Sequence, residues 1–152
     1  MMQLLTCVAL LSQPAADAPP DHVKKYLARC AAAKATDVAL PLPPQKDDLG
    51  IFQPVKAGDG RRDKSIDVLE IVDDDEAIVR AWYRDAAIGA EPTFVDLWLQ
   101  GIDTSDLAPG AAARFPQVFH VIGNKLFDTT CGKRSLPLLE PIDLAPYRAG
   151  RE

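Results

Sequence analysis

The sequence has no excess of basic charge, no long apolar run, and few cysteines and histidines. Its 152 residues include 17 Lys or Arg against 22 Asp or Glu, which gives a formal net charge of −5. Nucleic acid is therefore not an expected partner, because phosphate binding normally shows as a basic patch or stripe. No apolar run approaches the roughly 18 residues of a spanning helix, so we do not expect an integral membrane protein.

Cysteine and histidine are also scarce, with three and two residues respectively. Neither the cysteines nor His22 and His120 share the short spacing that is typical of zinc sites. In an oxidising compartment Cys30 and Cys131 could form one disulfide, closing a loop of about a hundred residues. Two unrelated thiols are the alternative. The glycine motifs of nucleotide-binding loops and the serine motif of hydrolases do not occur.

The first residues predict an export signal. An apolar segment at residues 4–11 is followed by Ala16-Asp17-Ala18, a small-x-small sequence of the kind that signal peptidases cleave. The basic residues that usually begin a signal peptide are missing. We predict a signal peptide at residues 1–18 and a periplasmic or extracellular protein, with a buried N-terminal element of a cytoplasmic protein as the alternative.

The rest of the chain predicts a mainly β fold. Thirteen prolines and nine glycines favour short elements joined by turns. A three-and-four spacing of apolar residues predicts one helix at residues 21–35, within a segment of helix and extended linker at 19–48. A β-barrel domain at 49–145 and a tail at 146–152 follow. Strands are expected at 50–55, 66–72, 77–84, 94–100, 118–122 and 134–139, and 125–130 could join them. These elements predict a small OB-like or SH3-like barrel of five or six strands with one N-terminal helix.

Strand alternation places both tryptophans on outward faces. Arg80, Trp82 and Arg84 share one face of their strand, and Trp98 faces the same way on the next. Such a row could stack a ring, a sugar or a base, so we predict a contact surface made of these four residues. The alternative is that the N-terminal helix covers both tryptophans as a second small core.

Two acidic segments, IVDDDEAIVR and WLQGIDTSDL, resemble the opening motifs of the thermonuclease-type OB-fold nucleases. The resemblance covers residues 66–107. It implies that Asp75 and Asp103 stand at the positions of two metal-binding aspartates, with calcium as the cofactor, and Asp106 at that of the general base. Trp98 stands where the family has a catalytic arginine. Because phosphodiester cleavage needs positive charge at the developing phosphorane, the resemblance implies the fold without a complete active site.

A second resemblance runs from WLQGIDTSDL through FPQVFHVIGNKLFDTTCG to RSLPLLEPID. This order is similar to small exported bacterial proteins of unknown function. Together the observations predict an exported, non-catalytic barrel that acts without a cofactor as a binding or structural module of the cell envelope. Its expected partner is an envelope protein or a small ligand. The alternative is a divalent-metal-dependent phosphodiesterase that uses Asp75, Asp103 and Asp106.

Overall fold

A computed structural model describes residues 18–55, 65–84, 89 and 91–148. The predicted signal peptide, apart from Ala18, lies outside these residues. The described chain is mainly β with an N-terminal helix, which confirms the predicted class. Its elements are α1 (Asp21–Ala33), β1 (Leu49–Gly50), β2 (Ile66–Asp73), β3 (Glu76–Tyr83), β4 (Thr93–Gln100), β5 (Ala112–Ala113), β6 (Phe119–Thr129), β7 (Gly132–Pro141) and α2 (Ala145–Arg148).

The seven strands in the described part of the chain form one sheet, in the order β1-β6-β7-β4-β3-β2-β5. The β4–β7 pair is parallel, and every other neighbouring pair is antiparallel. Strands β1 and β5 are the two edges and do not pair with each other. Among the described residues the sheet is therefore open, without the ladder of hydrogen bonds that would close a barrel.

The main core lies on the inner face of this sheet, where the predicted alternation of β3 and β4 is observed. Val79 and Leu97 are opposite each other and fully buried. Since successive side chains of a strand point to opposite faces, the same register sends Arg80 and Asp96 outward. The inner core contains Leu40, Ile66, Ala77, Val79, Ala81, Leu97, Leu99, Ile102, Phe115, Phe119, Val121 and Leu139.

Helix α1 packs at the β1 edge of the sheet and not over the tryptophans. Its apolar stripe contains Val23, Tyr26, Leu27 and Cys30, and this stripe packs against Leu49, Val118 and Leu144. Arg29 donates hydrogen bonds to the carbonyl oxygens of Leu49 (3.2 Å) and Ala39 (2.9 Å), which ties the helix to the segment that follows it. The alternative in which the helix covers both tryptophans is therefore wrong, because the apolar face of α1 packs against other residues.

Several elements differ from the sequence prediction. Strand β6 continues through Gly123 and Asn124, so it joins the predicted strand at 118–122 to the segment 125–130, with a β-bulge between Val121 and Gly123. Residues 112–113 pair with β2 as strand β5, although that region was expected to be a loop. The predicted tail at 146–152 contains all of α2 except its first residue, Ala145. The predicted domain boundaries stay predictions.

The possible disulfide is not formed in this structure, where Cys30 and Cys131 are free thiols, as in the alternative. Cys30 is buried on the apolar face of α1, whereas Cys131 is exposed in the turn between β6 and β7. The two thiols therefore belong to different environments. No helix in the described ranges is long and apolar enough to cross a membrane.

Candidate outer-face binding site and a histidine cluster

The outward side of β3 and β4 carries two cross-strand pairs, Arg80 opposite Asp96 and Trp82 opposite Phe94. We call these four residues the outer face. Directly opposed side chains in an antiparallel pair are close enough to interact, so the sequence alternation alone brings two aromatic rings and an ion pair together. The outer face thus has the composition of a stacking surface.

Asp96 fixes the orientation of two arginines at this surface. Its side chain is only 4% exposed, and it accepts hydrogen bonds from Arg80 Nε on Oδ1 (2.9 Å) and from Arg134 Nη2 on Oδ2 (2.9 Å). The hydrogen bond to Asp96 raises the pKa of Arg80. The Arg80 guanidinium carbon lies 3.8 Å from the centroid of the Phe94 ring, in cation–π geometry. A buried carboxylate therefore holds a cation on a ring that is 44% exposed.

Trp82 connects the outer face to a cleft. Its Nε1 donates a hydrogen bond to Asp67 Oδ2 (2.9 Å), and its ring meets Phe94 edge-on with centroids 5.2 Å apart. Trp82 also lines a cleft of about 320 Å³ together with Phe52, Tyr83 and Arg84. Of the four residues predicted as a contact surface, Arg80 and Trp82 thus lie on the outer face, and Trp82 and Arg84 line the cleft. Phe94 is an addition that sequence reasoning missed.

Trp98 faces outward as predicted but is only 6% exposed, which removes it from the contact surface. It packs with Ile78 and Leu136. Phe127 lies 5.5 Å from its ring, and Lys125 Nζ lies 4.4 Å from the ring centroid. The physical reason is the long β6–β7 hairpin, which pairs with β4 through β7 and covers the indole. Within the described chain, Trp98 Nε1 is buried without a hydrogen-bond partner.

The two acidic motifs meet through Thr104 and the backbone. Thr104 Oγ1 donates to the carbonyl oxygens of Asp73 (3.0 Å) and Asp74 (2.7 Å), and the Ile102 amide donates to the Asp75 carbonyl (3.2 Å). The two acidic segments are therefore joined by hydrogen bonds to the backbone carbonyls at the β2–β3 turn.

The carboxylates of these motifs have separate local roles. Asp103 Oδ1 accepts the Ser105 amide hydrogen bond (2.9 Å), and hydrogen bonds from Ser105 lower the pKa of Asp103. Asp75, Asp103 and Asp106, all within the described ranges, do not form a group of three with ligand atoms close together. The phosphodiesterase alternative stays a prediction from the resemblance, and the arrangement of these carboxylates gives it no support.

A different group is brought together by the fold. In the described ranges, His22, Asp47 and His120 are the group of His, Cys, Asp or Glu side chains whose ligand atoms all lie within 4.8 Å of one another. The two imidazole rings are stacked, with centroids 4.4 Å apart and planes 8° from parallel. His120 Nε2 lies 3.1 Å from Asp47 Oδ1, and this hydrogen bond lowers the pKa of Asp47. No local spacing could have predicted the group, since its members come from three distant parts of the chain.

Comparison with known proteins assigns no family to this arrangement. No protein-family description matches the chain, and no significant match occurs among curated proteins or solved structures. Any function must therefore be argued from the sites themselves.

Proposed function

We propose that this protein is an exported, non-catalytic binding module that holds a short saccharide on its outer face. The observation that carries the proposal is the Arg80 guanidinium, fixed by Asp96 and stacked on the exposed ring of Phe94. A flat ring stack beside oriented N–H donors suits a sugar, whose ring has an apolar face and hydroxyls at its rim.

The strand order favours an OB-type barrel as the scaffold. The central strands run β2-β3-β4-β7-β6, with β4 and β7 parallel. Numbered among themselves, these five strands have the order 1-2-3-5-4, which is that of the five-stranded Greek-key barrel of OB proteins. Such barrels bind oligosaccharides and oligonucleotides on the face of their second and third strands. Those strands are β3 and β4 here, so the outer face lies where this fold usually binds ligands.

The charge of the protein favours a saccharide over an oligonucleotide. OB-type proteins that bind single strands combine stacking rings with a positively charged groove. This chain has a net charge of −5, and the single negative charge of Asp96 offsets one of the two arginines, Arg80 and Arg134, that it binds. The cleft beside Trp82 has a volume of about 320 Å³, which is room for a second sugar ring. Arg84 also lines this cleft and contributes a positive charge there.

Binding is tested on a glycan array, followed by calorimetry with the best ligand. We expect Phe94→Ala to weaken binding by at least about fivefold, since stacking of a ring on an aromatic side chain contributes on the order of 1 to 3 kcal/mol. Leu126→Ala is the matched control, because Leu126 is also an exposed apolar residue of a strand, at 70%. Binding of no glycan, or equal affinity of the two variants, would contradict the proposal.

Export is tested separately by the intact mass of the protein recovered from its native cell. The expected mature chain begins at Pro19, after cleavage at Ala18. A chain that retains residues 1–18 in the cytoplasm would overturn this part of the proposal, while the saccharide assay would still stand on its own.

A further inference from the structure

We propose that His22, Asp47 and His120 form a binding site for a divalent cation of the late first transition row, with Zn²⁺ as its representative. This site lies at the end of the fold where α1 packs, and β6 and β7 separate it in the sheet from β4 and β3. It is therefore a second site, independent of the saccharide proposal.

Two of the three ligands are held by the β1–β6 ladder. His120 is the register partner of Leu49, two residues after Asp47. The Asp47 amide donates to the Val121 carbonyl (2.8 Å), and the Val121 amide donates to the Asp48 carbonyl (2.9 Å). Asp47 itself has a positive φ of 70°, a left-handed conformation that this backbone pairing maintains. The carboxylate is thereby fixed beside the imidazole of His120.

The third ligand comes from the first turn of α1. His22 precedes Val23, which is fully buried, so the packing of the helix places the His22 ring over His120. The Tyr26 hydroxyl donates to Asp37 (3.0 Å) and accepts from the Val38 amide (3.2 Å), which fixes the helix further along. The group is thus held by the packing of α1 and by the β1–β6 ladder, although none of its members is near another in sequence.

The distances suit a tetrahedral ion. Bonds of about 2.0 to 2.2 Å to nitrogen and oxygen separate the ligand atoms of such a site by roughly 3.3 to 3.5 Å. Here His120 Nε2 and Asp47 Oδ1 are 3.1 Å apart, and all the ligand atoms of the three residues lie within 4.8 Å of one another. To reach these separations, the ligand atoms must approach one another by about 1.5 Å or less. An ion lies in the plane of each imidazole that binds it, so the His22 ring would turn out of its stack with His120.

The ligand set selects the class of metal. Calcium and magnesium prefer oxygen ligands, whereas two imidazole nitrogens and one carboxylate suit zinc, copper, nickel or cobalt. Three protein ligands leave a coordination position for water or a ligand atom, and one carboxylate leaves a bound Zn²⁺ with positive charge. Bound metal would join α1 to the β1 edge.

The test uses the untagged protein labelled with ¹⁵N-histidine, titrated with ZnCl₂ and followed by the imidazole resonances. The chain has two histidines, so both resonances belong to the proposed site. We expect saturation at one equivalent with both imidazoles shifted. His22→Gln should weaken binding at least about tenfold in calorimetry. Asp128→Asn, which removes an exposed carboxylate near the β6–β7 turn, should leave the affinity unchanged.

Three results would overturn the proposal: no binding at millimolar ZnCl₂, a shift of one histidine alone, or equal affinity of His22→Gln and the unsubstituted protein. The exposed Cys131 is a competing zinc ligand, so the titration is repeated with Cys131→Ser. Loss of binding in that variant would also overturn the proposal. Circular dichroism of each variant verifies that the fold is kept, so a lost affinity reports the ligand and not unfolding.

Discussion

Asp96 should be a large single contribution to the stability of the outer face. Its nearly buried carboxylate accepts from Arg80 Nε (2.9 Å), Arg80 Nη2 (3.3 Å) and Arg134 Nη2 (2.9 Å). Asp96→Asn keeps the shape of the side chain but removes its charge and one acceptor. The guanidinium of Arg80, with 32% of its side chain exposed, would then keep its charge without the carboxylate that compensates it.

The expected loss in the free energy of unfolding depends on which of these contacts are buried. Removing one partner of a buried ion pair costs about 3 to 5 kcal/mol. The Arg134 side chain is 55% exposed, so solvent screens its ion pair with Asp96, and this pair contributes at most about 1 kcal/mol to stability. We therefore expect Asp96→Asn to lower the free energy of unfolding by about 2 to 4 kcal/mol, and Arg134→Gln by no more than about 1 kcal/mol.

Urea denaturation of the two variants measures these differences. A double-mutant cycle with Arg80→Gln isolates the Arg80–Asp96 term, which should be at least about 1 kcal/mol. A loss below about 1 kcal/mol for Asp96→Asn would refute the reasoning, because it would mean that the carboxylate is solvated and does not fix Arg80. An equal loss in Arg134→Gln would refute the division between buried and exposed contacts.

Three further variants test other parts of the fold. Gly50→Ala should lower the free energy of unfolding by at least about 3 kcal/mol in urea, because its Cβ would overlap the backbone of Leu40 and lie 2.6 Å from the Ala39 carbonyl carbon. Burial of the phenol is the main cause that raises the pKa of Tyr26 above its usual 10.0. The folded protein therefore favours the neutral phenol, and the stability that this contributes is present below pH 10 and is lost as the pH rises above 10. Tyr26→Phe should therefore lose less stability between pH 9 and about 11 than the unsubstituted protein, measured by circular dichroism; an equal loss would contradict this. Trp98→Phe should change stability by less than about 1 kcal/mol in thermal unfolding, since the lost packing is offset by removal of a buried, unpaired N–H, and a loss like that of a truncation to alanine would contradict this.

The local patterns of the sequence predict much of the central sheet. Apolar alternation in residues 66–72, 77–84 and 94–100 is short-range information, and strands β2, β3 and β4 lie there. The same alternation predicts the outward direction of Arg80 and Trp82. Distant segments of the chain decide whether an outward residue is covered. The burial of Trp98 under the β6–β7 hairpin therefore could not be predicted from the sequence of β4 alone.

The bulge in β6 is a second case of context deciding the outcome. Gly123-Asn124 has the composition of a turn, but Gly123 adopts a φ of 156° and the strand continues against β7. Pairing with a long partner strand outweighs the local turn preference. The histidine cluster is a third case, because its three members meet only when α1, the turn before β1, and β6 are assembled.

The two indole N–H resonances of a ¹⁵N-labelled sample give the most direct test of saccharide binding on the outer face. The chain has two tryptophans, one beside Phe94 and one buried under the β6–β7 hairpin. Titration with the glycan that binds most tightly should shift the Trp82 Nε1–H signal and leave that of Trp98 in place. A shift of Trp98 alone, or of neither tryptophan at saturation, would contradict the account.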